Sequence, residues 1–232
     1  MFASVEQRGF LALLNEMLSF KNVVWENLIV AIQETLYMTL VSTFYVFVIG
    51  LILGLFLYLT GPNKVLANRF VNFLLAGIIN IPFIILLVLL IPFTRSIMGT
   101  IIGPEGAIPT LVISAAPFYA RLVSIALNEI PSGVIEAAES MGANTFQVIW
   151  KVLIPESLPA LVSGITVTAI ALVGSTAIAG VIGAGGLGNL AYQVGFTRNM
   201  QDVIFVSTVC ILILVFIIQI LGDFVTKKVD KR

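Results

Sequence analysis

The chain has 232 residues, 59% of them hydrophobic and only 10% charged, with a mean hydropathy of +1.10. A water-soluble domain of this size does not carry that composition, so the chain reads as an integral membrane protein. Twelve basic residues balance twelve acidic ones, which leaves no electrostatic footprint for nucleic acid, and the lack of histidine removes imidazole acid–base chemistry and His-ligated metal sites.

Met1 to Glu34 is mixed in character. Phe10, Leu11, Leu14, Met17, Leu18 and Phe20 fall on one helical face and Trp25 suits a membrane interface, so 1–31 is expected to be an extracytoplasmic, interfacial segment. It does not read as a signal peptide, because Phe10 to Leu14 is too short an apolar core and Glu6 stands where a basic leader should be. Five apolar runs follow, at 35–59, 70–91, 108–127, 158–182 and 203–225, each near the ~20 residues that cross ~30 Å of hydrocarbon. The first holds Gly50 and Gly54 at a spacing that permits close helix contact. The second is interrupted by Pro82 and is expected to end at Pro92. The third contains Pro117 and Arg121, the most embedded charge, which is expected to snorkel to the inner interface. The fifth holds Cys210, the only cysteine, which is expected to be a packing residue. The expectation is an all-α polytopic membrane protein with five transmembrane helices, one domain at 32–224 with a polar loop at 128–157, and a basic tail at 225–232.

Basic residues orient these spans. The loops after spans one, three and five hold Lys64, Arg69, Lys151, Lys227, Lys228, Lys231 and Arg232, with Arg121 near that edge. The other side holds Arg8, Lys21, Arg95 and Arg198. Eight against four favours the first set inside, with the N-terminus outside and the C-terminus cytoplasmic.

The polar loop, Pro131 to Pro159, carries Glu136, Glu139, Lys151 and Glu156 between long apolar runs. Ser132 is an acceptable N-cap and Gly142 a stop, which predicts a short helix. Val134, Ile135, Ala138 and Met141 are expected on one face, Glu136, Glu139 and Ser140 on another. Ala137 and Ala138 would let another surface approach closely. The fourth run is unusual for its hydroxyls, among them Thr166, Thr168, Ser175 and Thr176. These fit helix packing, and equally a polar path through the membrane.

Gly183-Ala-Gly-Gly-Leu-Gly188 matches G-x-G-x-x-G but follows a membrane span rather than a strand, so a tight turn re-entering the interface is expected instead of a nucleotide site. No G-x-x-x-x-G-K-[ST] occurs, so ATP hydrolysis, if the chain uses it, must come from another polypeptide. No carboxylate lies near mid-membrane, which argues against a proton-coupled secondary carrier working alone.

The polar loop resembles the EAA loop of ABC-importer permeases: Glu136, Ala137, Ala138, then Gly142, then Val152, Ile154 and Pro155 at the family's spacing, with Val152 and Ile154 standing where that family usually has Ile and Leu. Other stretches are similar to the methionine-type branch: Glu34 to Ser42, Ile81 to Leu87, Ile91 to Arg95, Ala115 to Phe118 with Ala120-Arg121, and Gly183 to Gly188. Ile79-Asn80 departs from the Arg-Ser common there. The resemblance covers about 31–225. It implies a type I ABC-importer transmembrane domain whose Glu136, Ala137, Ala138, Met141 and Gly142 form the ATPase-coupling helix. It also implies a bacterial cell-membrane homodimer, two copies of a cytoplasmic ABC ATPase that uses the ATP, an extracytoplasmic substrate-binding lipoprotein, no cofactor bound by this chain, and methionine as cargo. Another small solute, such as a different amino acid or an osmoprotectant, and a stand-alone secondary carrier are the alternatives.

Overall fold

A computed structural model describes residues 17–60 and 75–230. The apolar face expected between Phe10 and Phe20 lies largely outside them, as do Lys64, Arg69, Lys231 and Arg232. Among the described residues every regular element is helical: α1 (Trp25–Leu59), a helical stretch at 75–80, α2 (Phe83–Leu89), α3 (Ile91–Met98), α4 (Pro104–Asn128), α5 (Ser132–Ser140) and α6 (Thr145–Val148). After α6 come a widened π turn (Ile149–Leu153), α7 (Ile154–Val181), α8 (Gly186–Asn189), a second π segment (Leu190–Phe196) and α9 (Gln201–Val229). An apolar chain in lipid has no water to satisfy its peptide groups, and helices satisfy them internally.

Among the described residues four helices are long and apolar enough to cross a membrane: Trp25–Leu59, Pro104–Asn128, the continuous Thr145–Val181, and Gln201–Val229. The second apolar run departs from the single span expected at 70–91. Its start lies outside the described residues, and the remainder is broken at Ile81-Pro82 and again at Leu90. Pro82 has no N–H to give a helix and crowds the preceding turn. Pro92 does not end the run. It stands in the first turn of α3, where its missing N–H costs nothing, and α3 continues to Met98. The first span also begins earlier than expected, at Trp25 rather than Thr35. At 35 residues α1 is about 52 Å long, more than the hydrocarbon thickness, so its polar first turns with Glu26, Gln33 and Glu34 need not lie in lipid.

The chain divides into two compact units, both drawn from the same four long helices. The first comprises Met1–Val41, Phe83–Leu111 and Leu172–Phe216. Its core is Leu28, Ala31, Leu187, Val206 and Leu214, flanked by Leu36, Phe205 and Cys210. At its edge Asp202, fully buried, accepts hydrogen bonds from the Asn22 backbone N–H (2.8 Å), the Asn22 side-chain amide (3.3 Å) and the Val203 N–H (3.0 Å). A buried carboxylate is tolerated only with such partners, so Asp202 pins the chain just ahead of α1 to the start of α9.

The second unit comprises Ser42–Pro82, Val112–Ala171 and Ile217–Arg232 and is organised around Tyr119 of α4, whose side chain is fully buried. The Tyr119 hydroxyl donates to the Leu161 carbonyl of α7 at 3.3 Å, and its ring lies 6.0 Å from that of Phe47 on α1. Glycines allow the helices this close. A Cβ at Gly50 would sit 2.7 Å from Tyr119 Cδ1, and one at Gly54 would sit 2.5 Å from Val123 Cβ and 2.8 Å from the Ala120 carbonyl oxygen. Gly222 of α9 lies against Thr166 of α7 in the same way. Replacing Gly54 by Val should therefore force α1 and α4 apart and cost about 1–3 kcal/mol, read as a fall in the thermal unfolding midpoint of the purified protein. Gly77→Ala, in the helical stretch 75–80 where a Cβ meets nothing within 4 Å, should leave the midpoint unchanged or raise it slightly.

Candidate functional site

The polar loop folds into two short helices joined by a closed connection. α5 begins at Ser132 with Pro131 as its cap residue, one position earlier than the expected Ser132 cap. The Pro131 carbonyl accepts from the Val134 N–H at 3.1 Å. Its end is a complete Schellman motif: the Ala143 N–H donates to the Ala138 carbonyl (3.1 Å) and the Gly142 N–H to the Glu139 carbonyl (2.9 Å), with Gly142 at φ +83°. A Cβ on Gly142 would meet nothing within 4 Å, so the requirement for glycine is conformational and not steric.

Two residues on, Asn144 caps α6 in a reciprocal capping box. The Gln147 N–H donates to Asn144 Oδ1 and the Asn144 N–H to Gln147 Oε1, both at 2.9 Å. This N-x-x-Q signal was readable in the sequence and was not singled out. The π turn at Ile149–Leu153 then carries the chain into α7, with the Ile154 N–H reaching back five residues to the Ile149 carbonyl. The wide turn sits immediately before Pro155, which has no N–H to place in an α-helical ladder.

The expected faces of α5 are corrected in one respect. Ala138 is buried and Ile135 half-buried, but Val134 is exposed and Met141 is 83% exposed. Met141 lies past the last helical residue, so the helical periodicity no longer places it beside Ala138. Phe146 and Trp150 are also exposed, with their rings 6.0 Å apart, while Glu136, Ala137 and Glu139 face solvent. Four large apolar side chains thus stand exposed along the polar loop, Val134 and Met141 ahead of the long helix Thr145–Val181 and Phe146 and Trp150 in its first turns, close to carboxylates. Such a patch marks a surface that another molecule covers.

The hydroxyls of the fourth run do not form one open face. Thr168 and Thr176 are buried and donate to carbonyls of their own helix, Gly164 (2.8 Å) and Val173 (2.7 Å). Thr166 donates to Val162 (2.8 Å) and packs on α9, and Ser175 is half-buried. Thr168 and Thr176 are helix-packing residues here. The side of α7 left exposed is Ser163, Val167, Ala171, Gly174 and Ile178.

The glycine stretch is a turn, not a nucleotide site. The Gly186 N–H donates to Glu34 Oε2 (2.6 Å), the Leu187 N–H to Thr35 Oγ1 (2.9 Å), and the Gly103 N–H to the Gly183 carbonyl (3.0 Å). Gly185 and Gly186, at φ +82° and +77°, lie where a Cβ would strike Glu34 and Thr35. Glu34 and Thr35 supply a cap that α8 lacks locally, a tertiary partnership across 152 residues that no local pattern reveals.

Long apolar helices with a firmly capped, partly apolar helix pair that leads into one of them fit the membrane subunit of a transport system. The chain belongs to the binding-protein-dependent transport system inner membrane components, whose family model matches residues 47–232. It is 61% identical to the methionine import system permease protein MetP of Bacillus subtilis (strain 168), over 92% of this chain and 98% of that one. It is 48% identical to the probable D-methionine transport system permease protein MetI of Pasteurella multocida (strain Pm70), over 90% and 98%. Among solved structures, an inward-facing form of the MetNI methionine ABC transporter superposes with a TM-score of 0.86 at 46% identity, covering 91% of this chain and 99% of that chain.

Because Gly142 acts through backbone conformation alone, Gly142→Asn should be nearly neutral, since Asn tolerates a left-handed backbone. Gly142→Val should open the α5–α6 connection at a cost on the order of 1–3 kcal/mol. Hydrogen exchange at the Gly142 and Ala143 amides checks this: protection should persist in the Asn variant and fall in the Val variant.

Proposed function

We propose that this chain is the pathway-forming subunit of an ATP-driven methionine importer in a bacterial cell membrane, and that the α5–α6 surface docks a cytoplasmic ATPase. The observation that carries this reading is the surface itself. Val134, Met141, Phe146 and Trp150 are exposed on a helix pair whose two ends are tied by the Schellman motif and the capping box. A groove on a partner would cover the apolar side chains, and the backbone is already ordered, so docking loses little conformational entropy.

The rest of the assembly is what the family resemblance implies: two copies of the chain, two ATPases and an extracytoplasmic binding lipoprotein, with the pathway between the two copies and ATP used only by the partner. The exposed side of α7, from Ser163 to Ile178, replaces the buried Thr168 and Thr176 as the face offered to that path. With the broken second run counted as a crossing, the basic-residue count favours α5 and the C-terminus inside.

The test is Met141→Asp combined with Phe146→Asp. Both side chains are exposed, so the variant should insert and fold as the parent does. Each charge would be driven into the docked interface, and co-purification of the ATPase and uptake of labelled methionine should both fall at least tenfold. Retained co-purification with normal uptake would remove the docking assignment. Normal co-purification with uptake of a different solute would keep the docking and change the cargo.

A further inference from the structure

Most hydroxyls on the long helices are satisfied by the helix that carries them. Thr168, Thr176, Thr208 and Thr226 each donate to a carbonyl three or four residues back, at 2.7–2.8 Å. Ser207 of α9 does not. Its side chain is fully buried, and among the described residues its Oγ has no hydrogen-bond partner. Its neighbour Thr208 reaches the Ile204 carbonyl, so α9 is regular enough here to accept such a bond. A buried hydroxyl without a partner carries the full cost of its lost hydration, so a partner is expected where it points.

Ser207 lines a small cavity of about 20 Å³ inside the first unit. Three stretches build its walls: Asn22 and Asn27 around the start of α1, Leu190 and Val194 of the second π segment, and Val203 with Ser207 on α9. No charged side chain lines it. The Asn22 amide nitrogen is spent on Asp202 at 3.3 Å, which leaves its Oδ1 as an acceptor, and Asn27 brings a second amide. Both asparagines are exposed while Ser207 is not, so the cavity runs from a polar rim to a buried hydroxyl.

Size and chemistry select the occupant. A cavity admits a water once it offers about 10–15 Å³ to the water's centre, and that water needs about two to four polar partners. The space here meets the first condition and is too small for an amino acid or a lipid headgroup. The hydroxyl and the two amides meet the second. A neutral wall gives an ion nothing to offset its desolvation.

We propose that this cavity is a binding site for a single ordered water, held by Ser207 Oγ and the side-chain amides of Asn22 and Asn27. The water accepts the Ser207 O–H and donates to the amide oxygens. It joins the segment ahead of α1 to α9 a second time, beside the direct hydrogen bonds from Asn22 to Asp202. The buried hydroxyl is thereby satisfied without turning back to its own helix. The site stands apart from the transport reading, since it invokes neither cargo nor ATPase.

The experiment is a crystal structure of the purified full chain, with any partner subunits retained, at a resolution that shows ordered water. The parent, Ser207→Ala and Thr208→Ala are compared. The parent should show one density within about 3.2 Å of Ser207 Oγ and of an asparagine amide. Thr208→Ala, which removes a hydroxyl already bonded to its own helix, should keep that density, and Ser207→Ala should lose it. A cavity without density in the parent, a Ser207 hydroxyl bonded to its own helix, or density unchanged in Ser207→Ala would each overturn the proposal. The first two results come from the parent alone, so the proposal stays falsifiable even where a variant fails to fold.

Discussion

Where this backbone leaves the α-helix, the peptide groups that are set free find a partner close at hand. In a chain dominated by apolar helices that requirement is severe, since lipid offers no hydrogen bond in exchange. The glycine turn shows it most fully: Glu34 and Thr35 of α1 take the Gly186 and Leu187 N–H groups, and the Gly183 carbonyl takes the Gly103 N–H. The same rule ends α5 through Ala143 and Gly142 and begins α6 through Asn144 and Gln147. It also rationalises the π turn at Ile149–Leu153, which absorbs the register change next to Pro155 without leaving the helix.

Helix contact in the second unit follows from side-chain size. Little hydrophobic driving force separates one apolar helix from lipid, so contact must come from close packing. Gly50 and Gly54 provide the depth on α1, Ala116 and Ala120 on α4, and Tyr119 fills the space where three helices meet. The Tyr119 hydroxyl would be an expensive passenger there without the Leu161 carbonyl. The large side chains that remain exposed on α9, among them Phe216, Ile220 and Phe224, are those a bilayer would cover.

What could be read in advance depended on whether its cause was local. Apolar length points to five spans, of which four are long helices and the run at 70–91 is broken by prolines, and the Glu136 to Gly142 stretch points to a short helix with a glycine stop, because both are written in consecutive residues. The spacing of Gly50 and Gly54 likewise announced a close contact. Tertiary causes were hidden. Nothing local singles out Asp202, and only its pairing with Asn22, 180 positions away, shows why it can be fully buried. The hydroxyls of Thr168 and Thr176 fit helix packing and a polar path equally well by sequence. Each can also be satisfied by its own helix, and the structure places both inside the packing. Met141 was assigned to the Ala138 face by a period that stops applying once the helix ends at Ser140. Pro92 reads the same at a helix start as at a helix end until the flanking turn is known, and here it stands at a start.

The docking surface and the buried part of the loop divide the same few residues between two tasks. Ala138, Val148 and Leu153 are buried and anchor the pair to the chain, while Val134, Met141, Phe146 and Trp150 point away from it. Small or well-packed residues make the anchor, and the large flexible or flat ones make the exposed surface, as expected of a face that must fill a groove. Rigidity decides whether such a surface transmits force or only binds. A surface on a loose loop would absorb a partner's movement in its own backbone. Here eight peptide and side-chain groups around Gly142 and Asn144 are joined in four hydrogen bonds, and the next residues wind directly into the 37-residue helix Thr145–Val181. A push on Met141 or Phe146 therefore meets a continuous helical element, and the capped connection makes the helix pair suited to carrying motion as well as affinity.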